Sequence, residues 1–264
     1  MRGFLTGILL AAMSAHAAAA VPSYVEKTLA QMKAALEPDR SSIRKIVLVP
    51  SPVHAEAAQL TARQVRKTLK DGKRILTVFL TPASVKGFAV LTWERPGQPD
   101  VEWVYLAPVH RLLKNADLGA MPFLYTEFTF RDLTAIKLGT TTLNLLGAEQ
   151  LAEKRTFKVR EVPRLPRPYA YRLTWIATDS YLPLKREYYD AADTLVKTEL
   201  FADVDTVDGT PTPLRVRIED KREGRYSELL VSELHYDAQV PDALFNPAKF
   251  LTVADNPFWQ SVGH

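Results

Sequence analysis

Residues 73–133 read KRILTVFLTPASVKGFAVLTWERPGQPDVEWVYLAPVHRLLKNADLGAMPFLYTEFTFRDL, and this stretch decides the fold class. Three runs rich in β-branched and aromatic residues, 74–80, 88–94 and 101–106, are separated by segments containing Gly, Pro and Asp. The first group of residue types fits a pleated, half-buried surface and the second punctuates it. The tight connections at 82–87 and 95–100 therefore fold the three runs into an antiparallel meander. A basic link, Arg111–Lys114, then leads to an aromatic-rich run at 123–130.

Upstream, Asp71-Gly72 is a strong hairpin signal that sets 59–70 beside 73–80. The segment 53–70 has helix-favouring Ala, Gln and Arg content, but its place before the hairpin leads us to read 59–69 as strand. Residues 43–49 form another β-rich run, closed by Pro50 and Pro52. Further back, Val25, Leu29, Met32 and Leu36 recur at helical spacing over 24–36. Ser23 with Glu26 three places on is a capping box, and Pro38 ends the helix. Downstream, 150–160, 169–178, 184–189, 194–204, 212–220 and 225–236 are strand-like, with turns at 190–193 and 223–224. Turn signals recurring about every 10–14 residues predict a mainly β protein of about 10–11 antiparallel strands, not a βαβ protein. No composition break divides 21–264, so one domain is expected.

Composition narrows the function. Apolar residues are 47% and charged residues 24% of the 264, ordinary for a globular protein. Lys and Arg total 34 against 30 Asp and Glu, and the two signs are interspersed, as in KREYYD. A nucleic-acid binder concentrates its basic residues on one face or in runs, so nucleic acid is not an expected partner. Residues 1–20 carry Arg2, an apolar run at 4–13 and small residues at 14–20, the layout of a cleavable export signal. That run is too short to span a bilayer. Export to a periplasm is the expectation. Cys is absent, which removes disulfides, thiolate nucleophiles, Cys-based metal sites and a Cys-linked lipid anchor.

No catalytic signature appears. His16, His54, His110, His235 and His264 are scattered, and His54 with Glu56 is the nearest approach to ligand spacing. There is no H-E-x-x-H, no G-x-S-x-G and no phosphate-binding Gly loop. Neither enzyme chemistry nor a metal is expected. What remains is apolar surface. A long twisted sheet curls, and one face is either filled by core side chains or capped over a cavity. Phe79, Phe88, Trp93, Trp103 and Tyr105 lie on adjacent strands, but faces alternate, so only about half can share one side. A packed core and a cavity for a lipid chain both fit these residues.

One stretch resembles a known family. Tyr105-Leu106, Pro108, Arg111 and then Pro122 through Leu133 (PFLYTEFTFRDL) resemble the outer-membrane lipoprotein-sorting-like proteins, the LolA-like superfamily. Leu80-Thr81-Pro82 with Gly87, Tyr188-Tyr189-Asp190 before Lys197, and Val240 to Phe245 are similar to that family too. Tyr125 stands where the family usually has Gly, Glu127 where it has Asp, and Pro108 sits one place late. The resemblance implies an incomplete, curled antiparallel barrel with helices as a lid over a hydrophobic cavity. It implies a carrier of lipid, acyl chains or lipoproteins without a cofactor, and an inner-membrane transporter or other envelope protein as partner. A non-catalytic sensor or accessory module on the same fold is the alternative. The expected cavity residues are Phe79, Leu91, Trp93, Trp103, Tyr105, Phe123, Tyr125 and Phe128, with Arg111 and Lys114 toward a headgroup or partner.

Overall fold

The computed structural model describes residues 23–54, 58–115, 121–133, 136–165 and 167–261. The expected export segment 1–20, Glu56 and His264 lie outside them. Helix α1, Tyr24–Leu36, begins at the expected capping box: the Ser23 hydroxyl accepts from the Glu26 amide, and the Glu26 carboxylate accepts from the Ser23 amide. Among the described residues thirteen strands follow in one antiparallel sheet. They are β1 (Ser42–Val49), β2 (Leu60–Leu69), β3 (Gly72–Thr81), β4 (Ala89–Glu94), β5 (Val101–Leu106) and β6 (Arg111–Lys114), then β7 (Thr141–Leu151), β8 (Lys154–Pro163), β9 (Tyr171–Ala177), β10 (Pro183–Tyr189), β11 (Leu195–Val207), β12 (Thr210–Asp220) and β13 (Arg225–Tyr236).

The order across the sheet is β6-β5-β4-β3-β2-β1-β13-β12-β11-β10-β9-β8-β7. Two meanders thus join where β13 returns to pair with β1, Val47 opposite Leu230. The edges are β6 and β7, so the barrel is incomplete, as expected. Only strong curling lets α1 reach both halves. Its Leu29 and Met32 pack on Val159 of β8 and Ile176 of β9, while Lys33 bonds Glu94 at the end of β4. The inside of this curl holds α1 and the crossover from β6 to β7. Against the outside of β1–β5 lie the C-terminal 3₁₀ turns Asp242–Phe245 and Pro247–Asp255 and the short helix α2, Phe258–Ser261.

The strand count exceeds the expected 10–11 for two physical reasons. The basic link Arg111–Lys114 is itself an edge strand, pairing Leu106 with Arg111 and Trp103 with Lys114. An edge strand needs no buried face, and charge there discourages further pairing. The run 150–160 expected as one strand is a hairpin, since β7 and β8 turn at Ala152 with φ 50°. β7 is exposed along most of its length, and a register shift between Leu145 and Gly147 breaks its alternation.

Candidate functional site: the concave face beneath the crossover

The crossover has to travel from one sheet edge to the other, and it does so over the concave face. Its centre is a small self-bonded loop. Phe123 N donates to Phe128 O at 2.7 Å, Thr126 Oγ1 donates to Phe123 O at 2.6 Å, and Asp132 Oδ2 accepts from Thr129 N and Oγ1. Leu124 takes the left-handed conformation, φ 52°, so the backbone reversal sits one residue before Tyr125. The loop aims Phe123 and Phe128 inward, where both are buried. The Phe123 ring stacks on Phe79 at 4.7 Å and meets Phe88 and Phe130 edge-on at 5.3 and 5.2 Å.

Polar anchors hold the crossover to several elements. Glu127 accepts Arg225 of β13 at 3.1 Å, and its amide donates to the Ser227 hydroxyl. Asp132 pairs with Lys197 of β11, Lys137 with Glu102 of β5, and the Ile136 amide donates to the buried Glu37 carboxylate beyond α1.

The concave face has two halves. Under β1–β5 it is apolar apart from Arg44, Gln64 and Arg66 on β1 and β2: Ile46, Leu48, Leu60, Ala62, Phe79, Phe88 and Val90 pack with Phe123 and Phe128. On β8–β11 it is charged. Glu161 pairs with Arg172 at 2.6 Å and accepts from the Thr174 hydroxyl, and Arg186 pairs with Glu199 at 3.1 Å. The Tyr188 hydroxyl donates to the same Glu199. Burial works to raise the Glu161 carboxyl, but the Arg172 charge and hydrogen bond outweigh it and hold the group below its ordinary value. Burial and the Glu199 charge push the Tyr188 phenol well up, so it stays a donor.

Two cavities open where these halves meet. One of ≈ 200 Å³ lies between Leu36, Ile136, Phe128 and the apolar side chains of Val216, Leu229 and Val231. The other, ≈ 260 Å³, lies between the crossover at Pro122, Thr126 and Thr129 and strands β10–β12 at Tyr188, Val196 and Ile218. Asp132, Arg167, Tyr169, Arg172 and Tyr188 border both. Each alone is smaller than a typical ligand pocket of roughly 300–1,000 Å³, and side by side they enter that range.

The expected site residues divide by face. Phe79, Phe123 and Phe128 are on the concave side, and Phe128 lines the first cavity. Leu91 and Tyr105 are buried on the opposite side under the C-terminal turns. Trp93 and Trp103 stack together on that outer side at 6.0 Å, with Arg74 over Trp93 and Lys114 over Trp103. Tyr125 is 64% exposed. Arg111 and Lys114 are exposed on the edge strand β6, away from either cavity wall. The separation follows from register. β3 pairs even with odd positions of β4 (Arg74 with Trp93), whereas β4 pairs odd with odd positions of β5 (Leu91 with Trp103). Phe79 therefore faces away from Leu91, Trp93, Trp103 and Tyr105. The charged half was not anticipated. Its one sequence signal is that Arg186 and Tyr188, or Glu161 and Val159, alternate as if facing a core.

Among the described residues no three His, Cys, Asp or Glu side chains gather as metal ligands. No helix among them is long and apolar enough to cross a membrane.

No curated protein matches the chain. A family model described only as an uncharacterized-protein family matches residues 71–252. Among solved structures, a candidate outer membrane lipoprotein-sorting protein domain from Vibrio parahaemolyticus superposes with a TM-score of 0.75 at 23% identity, covering 86% of this chain and 97% of that one. A DUF1329 family protein from Desulfovibrio piger gives 0.72 at 23% identity, over 85% and 97%. A LolA superfamily protein from Nitrosomonas europaea gives 0.64 at 21% identity, over 84% and 97%. The chain belongs to the family whose model spans 71–252, and its open, curled sheet with a crossover on the concave face is the LolA-like fold.

Proposed function

We propose that the chain is exported through the 1–20 segment and acts in the periplasm as a non-enzymatic binding protein. Its cargo is a lipid, an acyl chain or a lipoprotein in traffic toward the outer membrane. The observation that carries this reading is the pair of adjoining cavities beneath the crossover, with Phe128 and the valine and leucine side chains of β12 and β13 as walls. Burying acyl CH₂ groups there contributes about 0.8 kcal/mol each, so useful affinity needs few polar contacts. Phe79 of β3, with Phe123 and Phe128 of the crossover packed on it, continues the apolar surface beside these cavities. Mature protein purified from an envelope extract is expected to carry lipid in native mass spectrometry and to take up a fluorescent fatty acid. Protein that is lipid-free and takes up none counts against a carrier.

A second reading, an accessory module for a transporter or other envelope protein, draws on the open edge β7. Leu145 and Leu146 are exposed there beside unpaired backbone groups. Crosslinking from position 146 in intact cells is expected to trap one dominant membrane protein, and a diffuse pattern sinks this reading.

A further inference from the structure

We propose that Arg44 and Arg66 form an anion seat in the first cavity, so that the cargo is an amphiphile with a carboxylate or phosphate head. This rests on the binding-protein reading above and specifies which cargo class the cavity selects.

Arg44 and Arg66 project from β1 and β2 into the concave face, and both line the ≈ 200 Å³ cavity. They share one neutral acceptor. Gln64 Oε1 accepts from Arg44 Nε at 2.8 Å, from Arg44 Nη2, and from Arg66 Nε at 3.2 Å. The Gln64 amide is itself buried and pinned by its donation to the Thr77 hydroxyl at 2.8 Å. Arg66 Nη1 donates to the Leu36 carbonyl at the end of α1. Among the described residues neither guanidinium has a carboxylate at ion-pair distance. Glu37 lines the same cavity and its charge reaches Arg44, but it lies beyond ion-pair distance of both guanidiniums and sits nearer Lys33, at 3.4 Å, and the Ile136 amide, at 2.9 Å.

A carbonyl oxygen has two lone pairs, and here three N–H groups from two like charges converge on it. Such an arrangement is costly in a half-buried place unless a counter-charge is provided. Burial first and the Arg66 charge second push the Arg44 guanidinium down to about 9, against smaller opposing pulls from Tyr236 and Glu37. The pattern contrasts with Arg172 and Arg186 on the same face, each of which has its own glutamate. Of the lining cations, Lys137 pairs with Glu102, Arg172 with Glu161 and Arg186 with Glu199, which leaves Arg44, Arg66 and Arg167 without a carboxylate at ion-pair distance among the described residues. A planar oxyanion matches the guanidinium fork, and the apolar portion of the cargo then runs along Phe128, Val216, Leu229 and Val231.

The test uses the mature chain and displacement of a neutral apolar fluorophore, N-phenylnaphthylamine, by dodecanoate, by 1-dodecanol and by inorganic phosphate. Dodecanoate is expected to displace it at about tenfold lower concentration than dodecanol, with the preference shrinking in 0.5 M salt. The double variant Arg44→Gln, Arg66→Gln is expected to bring dodecanoate down to the level of dodecanol. If phosphate alone raises the melting temperature of the wild type but not of the variant, the seat also takes free anion. If it does not, the apolar chain is needed for occupancy. Equal displacement by acid and alcohol in the wild type overturns the anion seat while leaving an apolar carrier standing. If the fluorophore does not bind and neither ligand has any effect, the carrier reading itself falls. Should the double variant fail to fold, the wild-type acid-to-alcohol ratio and its salt dependence still decide.

Discussion

Replacing Phe123 by alanine tests whether the crossover is part of the folded core or merely rests on it. Phe123 is 1% exposed, and its ring touches Phe79, Phe88 and Phe130 at centroid distances of 4.7 to 5.3 Å. Truncating a buried phenylalanine costs about 3–5 kcal/mol, and aromatic pairs lie toward the expensive side because they add roughly 0.5–1.5 kcal/mol beyond area. We take about 4 kcal/mol. For a domain of this size each kcal/mol lowers the melting temperature by about 2–4 °C, so the variant should melt about 8–16 °C lower in circular dichroism. Denaturant unfolding should move its midpoint by the corresponding amount with an unchanged slope. A loss below about 1 kcal/mol would refute the reasoning, because it would mean that the loop 121–133 opens without disturbing the sheet. In that event hydrogen exchange in the loop should be fast in the wild type as well.

Three further outcomes are expected. Gly72→Ala should destabilise by more than about 3 kcal/mol, since a Cβ at Gly72 (φ 129°) would sit 1.9 Å from the Glu94 carbonyl oxygen, and a melting curve checks it. Arg186→Met should cost about 3–5 kcal/mol by stranding Glu199 without its cation, whereas replacing both partners by apolar residues should recover only part of that loss in urea titrations, because the Tyr188 hydroxyl then loses its acceptor. For pH, the Glu161 carboxyl is lowered in the fold, so its stabilising contribution is full above the unfolded value of 4.5 and is lost as pH falls through its lower folded value. Acid unfolding followed by tryptophan fluorescence should therefore be shallower below pH 4.5 in Glu161→Gln; an unchanged slope would remove Glu161 from the account.

Local signals in the chain were enough to place α1 and most of the strands. The capping box at Ser23 and Glu26, the Asp71-Gly72 hairpin and the alternation in β9–β13 each act through neighbours within a few residues. Such preferences are written into the sequence regardless of what packs against them. The edge strands were harder to see for the same reason turned around. β6 and β7 lack a buried face, so hydrophobic alternation, the signal by which strands are recognised, is weak in one and broken in the other.

The candidate site was only partly legible. Phe79, Phe123 and Phe128 were anticipated as a group and do meet, but Leu91, Trp93, Trp103 and Tyr105 turn to the other side of the same sheet. Their composition and spacing give no warning, because a shift of pairing by one residue exchanges the two faces of a strand. Arg44 and Arg66 carry no site signal in the sequence, because charges in a strand ordinarily face water and only strand pairing brings both onto Gln64 as a common acceptor. By itself the sequence determined the class of protein: an all-antiparallel chain with one capped helix, no cysteine chemistry and no catalytic motif. Only the tertiary structure decided which side chains share a face, that the crossover bridges the open edges, and that one half of the concave surface is charged. Those outcomes depend on register and on contacts between residues far apart in the chain, where no local preference reaches.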